Sequence, residues 1–221
     1  VDVLSILFGY GLELEFPPEV EASAQEIIHS RKLEGWKGRV DRTDLPVFTI
    51  DPSDARDHDD ALSLQEVEEG LWEVGIHIAD VSHYVERDSP LDLEALKRGT
   101  SVYLVDRVVP MLPHLLSSDV RAAVSLFVTL DRQAQVRNHR FERTVVKSRH
   151  RLDYEEVQGV LTGEGTIDPH VDRDLRILQG LAQALRKRRL QRGSLDFDLP
   201  EARVLLDSQG EPVDIQKVVQ L

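Results

Sequence analysis

The sequence predicts an α+β fold, a mostly antiparallel sheet with flanking helices. Two stretches, "ALSLQEVEEGLWEVGIHIADVSHYV" (61–85) and "AAVSLFVTLDRQAQVRNHRFERTVV" (122–146), alternate apolar and polar residues around a polar turn, the pattern of a half-buried hairpin. The segments that follow carry the start and stop signals of helices. A third hairpin pattern, "ARVLLDSQGEPVDIQKVV" (202–219), comes near the end, and no internal repeat is found.

Taken in order, "FPPEVEASAQEIIHSRKLEGWKGRVDRTDLP" (16–46) opens with a Pro pair that suits a helix start and ends in polar, Gly-containing sequence typical of a linker. "VFTI" (47–50) reads as a buried strand, and the first hairpin should turn at Glu68–Gly70. "SPLDLEALKRG" is a short helix, with Ser89 as N-cap, Pro90 at the first helical position and Gly99 just past the end. "LDYEEVQGVL" and "DPHVDRDLRILQGLAQALRKRRLQRG" are helices capped by Asp153 and Asp168. The second carries an apolar stripe at Val171, Leu175, Leu178, Leu181 and Leu185.

Composition sets outer bounds. The 221 residues are 41% hydrophobic, enough to bury a core in one domain or two small ones. There is no cysteine, so neither a disulfide nor a thiolate metal site can form within them. No apolar run approaches the roughly 20 residues of a membrane span, and no signal peptide is visible. A net charge of −13 argues against coating nucleic acid through bulk electrostatics. It leaves room for a nucleic-acid enzyme whose basic groups line a channel or sit in other domains. The chain starts "VDVLSILFG" and stops at "DIQKVVQL", so it is expected to be part of a longer protein.

The stretch with most chemistry is "TIDPSDARDHDDALSL" (49–64), with aspartates at 51, 54, 57, 59 and 60 directly after the buried strand. Carboxylates this close cannot all ionise unless a cation neutralises them. Hard oxygen ligands suit Mg²⁺ or Mn²⁺. An EF-hand is rejected. Counted from Asp57 the fifth position is Ala61 and the sixth is Leu62 where the loop needs Gly, and counted from Asp51 the third and fifth are Ser53 and Ala55. What remains is an open carboxylate site that leaves positions for water and substrate phosphate, as in two-metal phosphodiester hydrolysis. The competing reading is a solvated acidic loop. The adjoining strand, and the lack of compensating cations apart from Arg56, favour metal.

The same stretch resembles the signature of the ribonuclease II/R (RNB-domain) family of 3′→5′ exoribonucleases. "VGIHIADVSHYV" (74–85), "DLEALKRGTSVYLVDRVVPMLP" (92–113), "VKSRHRLDYEEVQ" (146–158) and "GSLDFDLPEARVLLDSQGEP" (193–212) resemble successive family blocks in family order. The resemblance covers roughly 40 to 215. It implies that residues 1–40 join an upstream RNA-binding module to the catalytic domain, whose N-terminal part is 41–221. It implies Mg²⁺-dependent, processive hydrolysis of single-stranded RNA to nucleoside 5′-monophosphates, with Mn²⁺ as a substitute cation. It also implies a monomeric cytoplasmic enzyme, not membrane-bound, with flanking OB-type RNA-binding domains outside these residues.

By the same resemblance the catalytic residues are Asp51, Asp57, Asp59 and Asp60. Asp51 and Asp60 bind metal and the scissile phosphate, Asp59 supports a second metal and the attacking water, and Asp57 holds the site and the RNA 3′ end. Asp54 is read as a solvated loop carboxylate. Tyr103 and Phe197 match aromatic residues that stack on the RNA, against the plainer reading of core aromatics. His77 and Asp80 in "HIAD" are read as a hydrogen-bonded structural pair at a strand end beside the metals. "RKRR" (186–189) either touches phosphates or complements a helix dipole. Two departures stand out: only "HLLSSD" separates "MLP" from "VRAAVSLFV", where the family has a longer loop, and the family's later half, with an arginine for the scissile phosphate, is absent. The competing function is an RNA-binding module with a degenerate, inactive site.

Overall fold

The computed structural model describes residues 3–34, 36–53, 55, 58–104, 107–113, 120–195, 201–207 and 212–218. Two helices lead, α1 (Val3–Gly9) and α2 (Pro18–Glu34). The strands β1 (Val40–Asp51), β2 (Asp60–Glu68), β3 (Leu71–Ala79), β6 (Val120–Asp131) and β7 (Val136–Asp153) form a closed barrel in the order β1-β2-β3-β6-β7. Between β3 and β6 lie helix α3 (Pro90–Arg98) and a small ribbon of β4 (Val102–Tyr103) and β5 (Val108–Val109). Helices α4 (Tyr154–Thr162) and α5 (Pro169–Gln191) follow, then the hairpin of β8 (Glu201–Leu206) and β9 (Pro212–Val218).

The barrel confirms a mostly antiparallel sheet and adds a closure that local sequence does not announce. Neighbours around it run antiparallel except β1 and β7, which are parallel. An odd number of alternately directed strands can close only with one parallel pair. That pair sets Val40–Arg42 beside Thr144–Val146 and Phe48–Asp51 beside His150–Asp153. The expected linker up to residue 46 is therefore partly strand. Its polar residues are carried by tertiary pairing, as where Arg42 donates to Glu142 at 3.0 Å, while Leu45 is buried.

Successive strand residues face opposite sides, and here they feed separate cores. Val47 joins Leu45, Ala123, Phe127 and Val146 inside the barrel. Its neighbour Phe48 joins Leu152, Val160, Val171 and Leu175 under α4 and α5 on the outside. Farther along α5, Leu181 packs on Leu64, Val74 and Leu130. Each fully buried Leu, Val or Phe of these layers contributes ~1.5–3 kcal/mol. The stripe ends at Leu185, which is 40% exposed. The caps stand where expected: Ser89 accepts from Asp92 N, Asp153 from Glu156 N and Asp168 from His170 N.

Candidate active site

Asp51 closes β1 and Asp60 opens β2. Because these strands are antiparallel neighbours, both residues lie at the same mouth of the barrel. Asp51 is buried, and its Oδ2 accepts a hydrogen bond from Nδ1 of His58 at 2.7 Å. Asp59 and Asp60 are exposed. The backbone of this limb is held from two sides. Arg121, near the start of β6, donates to the His58 carbonyl, and Ala79 N at the end of β3 donates to the Asp59 carbonyl at 2.8 Å.

A small recess, partly open to solvent, occupies this mouth, with Thr49, His58, Asp59, Asp60, His77, Arg121 and Ser148 among its lining residues. Its donors are hard oxygens, the chemistry that Mg²⁺ or Mn²⁺ prefers. The Thr49 hydroxyl is buried without a hydrogen-bond partner among the described residues, a polar atom in the wall that water or a polar ligand group would satisfy. Among the described residues no three His, Asp or Glu side chains converge on one point. The donors fit a hard divalent cation in kind and would supply part of its shell, which suits an ion that keeps several waters.

Deeper in the barrel His77 is fully buried. Its Nδ1 lies 2.7 Å from Ser125 Oγ and its Nε2 3.0 Å from Ser63 Oγ, and Ser125 Oγ continues to Thr144 Oγ1 at 2.6 Å. Burial pushes the His77 pKa down to about 4, so the ring is neutral at pH 7. Gly75 makes room for this contact: a Cβ there would lie 2.4 Å from Ser63 Oγ and 2.7 Å from His77 Nε2. Asp80 pairs instead with the buried Arg39, and Ser82 donates to it at 2.6 Å. Burial pushes the Asp80 carboxyl up, but Ser82 and Arg39 outweigh it and hold it below the usual range. His77 and Asp80 are thus not a pair, because His77 faces the barrel interior while Asp80 lies beyond the end of β3.

The structure brings Asp51, Asp59 and Asp60 to one mouth, while Asp54, Asp57 and Phe197 lie outside the described residues, as does the short stretch 114–119. Tyr103 stands in β4 of the ribbon, not in a loop. It is 52% exposed and so not a core aromatic, and it does not line the recess. In the basic run, Arg188 donates to the Ala134 carbonyl at the β6–β7 turn, and Arg188 and Arg189 occupy the last turn of α5, as the dipole reading requires. His58, Thr49 and Arg121 are the site residues that sequence reading missed. Only His58 left a signal, a histidine embedded among the aspartates.

The description "RNB domain" matches residues 39–220. Ribonuclease R 1 of Lactococcus lactis is 37% identical, covering 98% of this chain and 28% of that protein. Ribonuclease R of Thermotoga maritima is 38% identical, covering 97% of this chain and 32% of that protein. The structure of Mycoplasma genitalium RNase R in complex with ribose-methylated single-stranded RNA superimposes with a TM-score of 0.88 at 27% identity, covering 98% of this chain and 35% of that one. The chain spans about a third of the length of these relatives. With the family match over most of its length and a barrel that brings Asp51, Asp59 and Asp60 to one mouth, the chain belongs to the RNB-domain family.

Proposed function

We propose that this chain carries the catalytic centre of a 3′→5′ exoribonuclease that hydrolyses single-stranded RNA processively with Mg²⁺, releasing nucleoside 5′-monophosphates. The observation that carries the reading is that Asp51, Asp59 and Asp60 stand at one mouth of the barrel, Asp59 and Asp60 lining its recess, in an RNB-family chain. Relatives named Ribonuclease R, one of them solved with single-stranded RNA, support the activity and the substrate. The degenerate-site alternative is disfavoured, since all four signature aspartates are retained and a chain freed from catalysis gains nothing from clustered like charges.

In this reading Asp51, Asp59 and Asp60 would hold the cations, Asp51 and Asp60 also meeting the scissile phosphate, and Asp57 would help to hold the site and the RNA 3′ end. Bound Mg²⁺ supplies Lewis-acid stabilisation of the charge that develops on the phosphate. Asp59 orients the attacking water. The water oxygen bonds to phosphorus, the P–O3′ bond breaks, and a proton ends on the departing 3′ oxygen. The RNA is left one nucleotide shorter with a 3′ hydroxyl. Tyr103 and Phe197 grip the threaded bases by stacking, which holds single strands regardless of sequence. The remaining expectations belong to the same proposal: a monomeric cytoplasmic enzyme in which 1–40 lead from an upstream RNA-binding module.

The test is full-length enzyme with 5′-labelled single-stranded RNA, with Mg²⁺ and with a chelator. A ladder shortening from the 3′ end, together with released 5′-monophosphates that require metal, is expected. Tight RNA binding with no cleavage at any Mg²⁺ concentration would establish the inactive module instead.

A further inference from the structure

We infer that His58 is a positioning residue that fixes the Asp51 carboxylate for cation binding, an assignment that rests on the hydrolytic reading above. An ionised carboxylate only accepts hydrogen bonds, so the proton of the 2.7 Å contact sits on His58 Nδ1. The His58 and Asp51 side chains are only 15% and 11% exposed, so water competes little for this bond. Its short length is that of a hydrogen bond to a charged acceptor.

His58 is well placed to hold another group because it is itself held. Its carbonyl accepts from Arg121 on β6, and the next carbonyl, that of Asp59, accepts from Ala79 at the end of β3. The imidazole passes that anchoring to Asp51 at the end of β1. It ties together two chain limbs whose carboxylates repel one another until a cation arrives. A lone aspartate carboxylate turns easily about its last torsion. Holding Oδ2 fixes the direction of Oδ1, to which no other described residue hydrogen-bonds. Groups that orient ligands in this way typically alter metal affinity 10–100-fold when removed.

The experiment compares the full-length enzyme with His58→Phe, which keeps a ring but removes the donor, and His58→Asn, whose amide nitrogen takes the place of Nδ1. Mn²⁺ is titrated alone and its free signal followed by electron paramagnetic resonance. His58→Phe should weaken binding by roughly 10–100-fold and His58→Asn by no more than about threefold. The Mg²⁺ concentration giving half-maximal hydrolysis should rise with the same ratio. Circular dichroism melts check folding. If His58→Phe does not fold, His58→Gln replaces it: its amide reaches past the Nδ1 position, so it should bind Mn²⁺ as weakly as the Phe variant would.

Unchanged Mn²⁺ affinity in the folded donor-less variant, or an Asn variant no better than it, overturns the assignment. The two readings fail separately. A wild type that loses Mn²⁺ affinity on His58→Phe but never cuts RNA keeps the positioning role and sinks the hydrolytic function. A wild type that cuts RNA with metal affinity indifferent to His58 does the reverse.

Discussion

Acid should destabilise this fold through one side chain, His77. In the native barrel the ring lies between Ser63 and Ser125, edge-on to Phe127 with centroids 5.6 Å apart. A neutral imidazole has one N–H and one lone pair, and two hydroxyls that rotate freely satisfy both. A second proton would put a charge where water cannot reach it, and burial lowers the pKa from 6.5 to about 4. The unfolded chain therefore binds a proton near pH 6.5 that the native state refuses until about pH 4. Stability must fall as pH drops through that window, since the unfolded state binds more protons there. At about 1.4 kcal/mol per tenfold change in proton affinity, the loss is about 2 kcal/mol by pH 5 and about 3 kcal/mol once pH 4 is reached. That is a large share of a typical domain's 5–15 kcal/mol. The assay is urea unfolding of wild type and His77→Asn at pH 7, 6 and 5. The variant loses packing at every pH but lacks the titration, so the wild-type advantage should shrink by about 2 kcal/mol between pH 7 and 5. Parallel stability curves would refute the reasoning, because they would mean that the native ring protonates as easily as the unfolded one.

Three further outcomes follow from the same geometry. Asp59→Asn, nearly isosteric and relieving repulsion at an exposed position, should abolish hydrolysis while RNA affinity by filter binding stays close to wild type. Cleavage within twofold of wild type would remove Asp59 from the machinery. Tyr103→Ala takes a half-exposed ring off β4 and should lengthen the limit product on a sequencing gel more than it slows long RNA, because a short fragment depends most on the ~1–3 kcal/mol of stacking. An unchanged endpoint with a depressed melt would make the ring structural. Gly75→Ala drives a methyl against Ser63 and the His77 ring and should lower stability by ~1–3 kcal/mol in a thermal melt. A neutral effect would mean that the barrel interior is looser than described.

What the sequence could reveal follows the range of the interactions involved. The caps at Ser89, Asp153 and Asp168 were legible because donor and acceptor lie two or three residues apart. The hairpins were legible because alternation and turn residues are local. Barrel closure was not, since Val40–Arg42 meets Thr144–Val146 and neither stretch carries a mark of the other. His77 and Asp80 show the same limit at short range. Three residues apart and both polar, they suggested a pair, but strand alternation and the end of β3 send one into the barrel and the other to Arg39. The signature aspartates were legible through their charge density together with the buried strand before them and the lack of compensating cations. How they are held depends on distant parts, because Arg121 and Ala79 reach the limb only after β3 and β6 have paired. Charge clustering can thus be read from ten residues, but the placing of Asp51 beside Asp59 and Asp60 depends on the closed barrel. Substitutions where Val40–Arg42 meets Thr144–Val146 should therefore disturb the mouth where Asp51 stands, even though that end of the β1–β7 seam contributes no carboxylate to the signature.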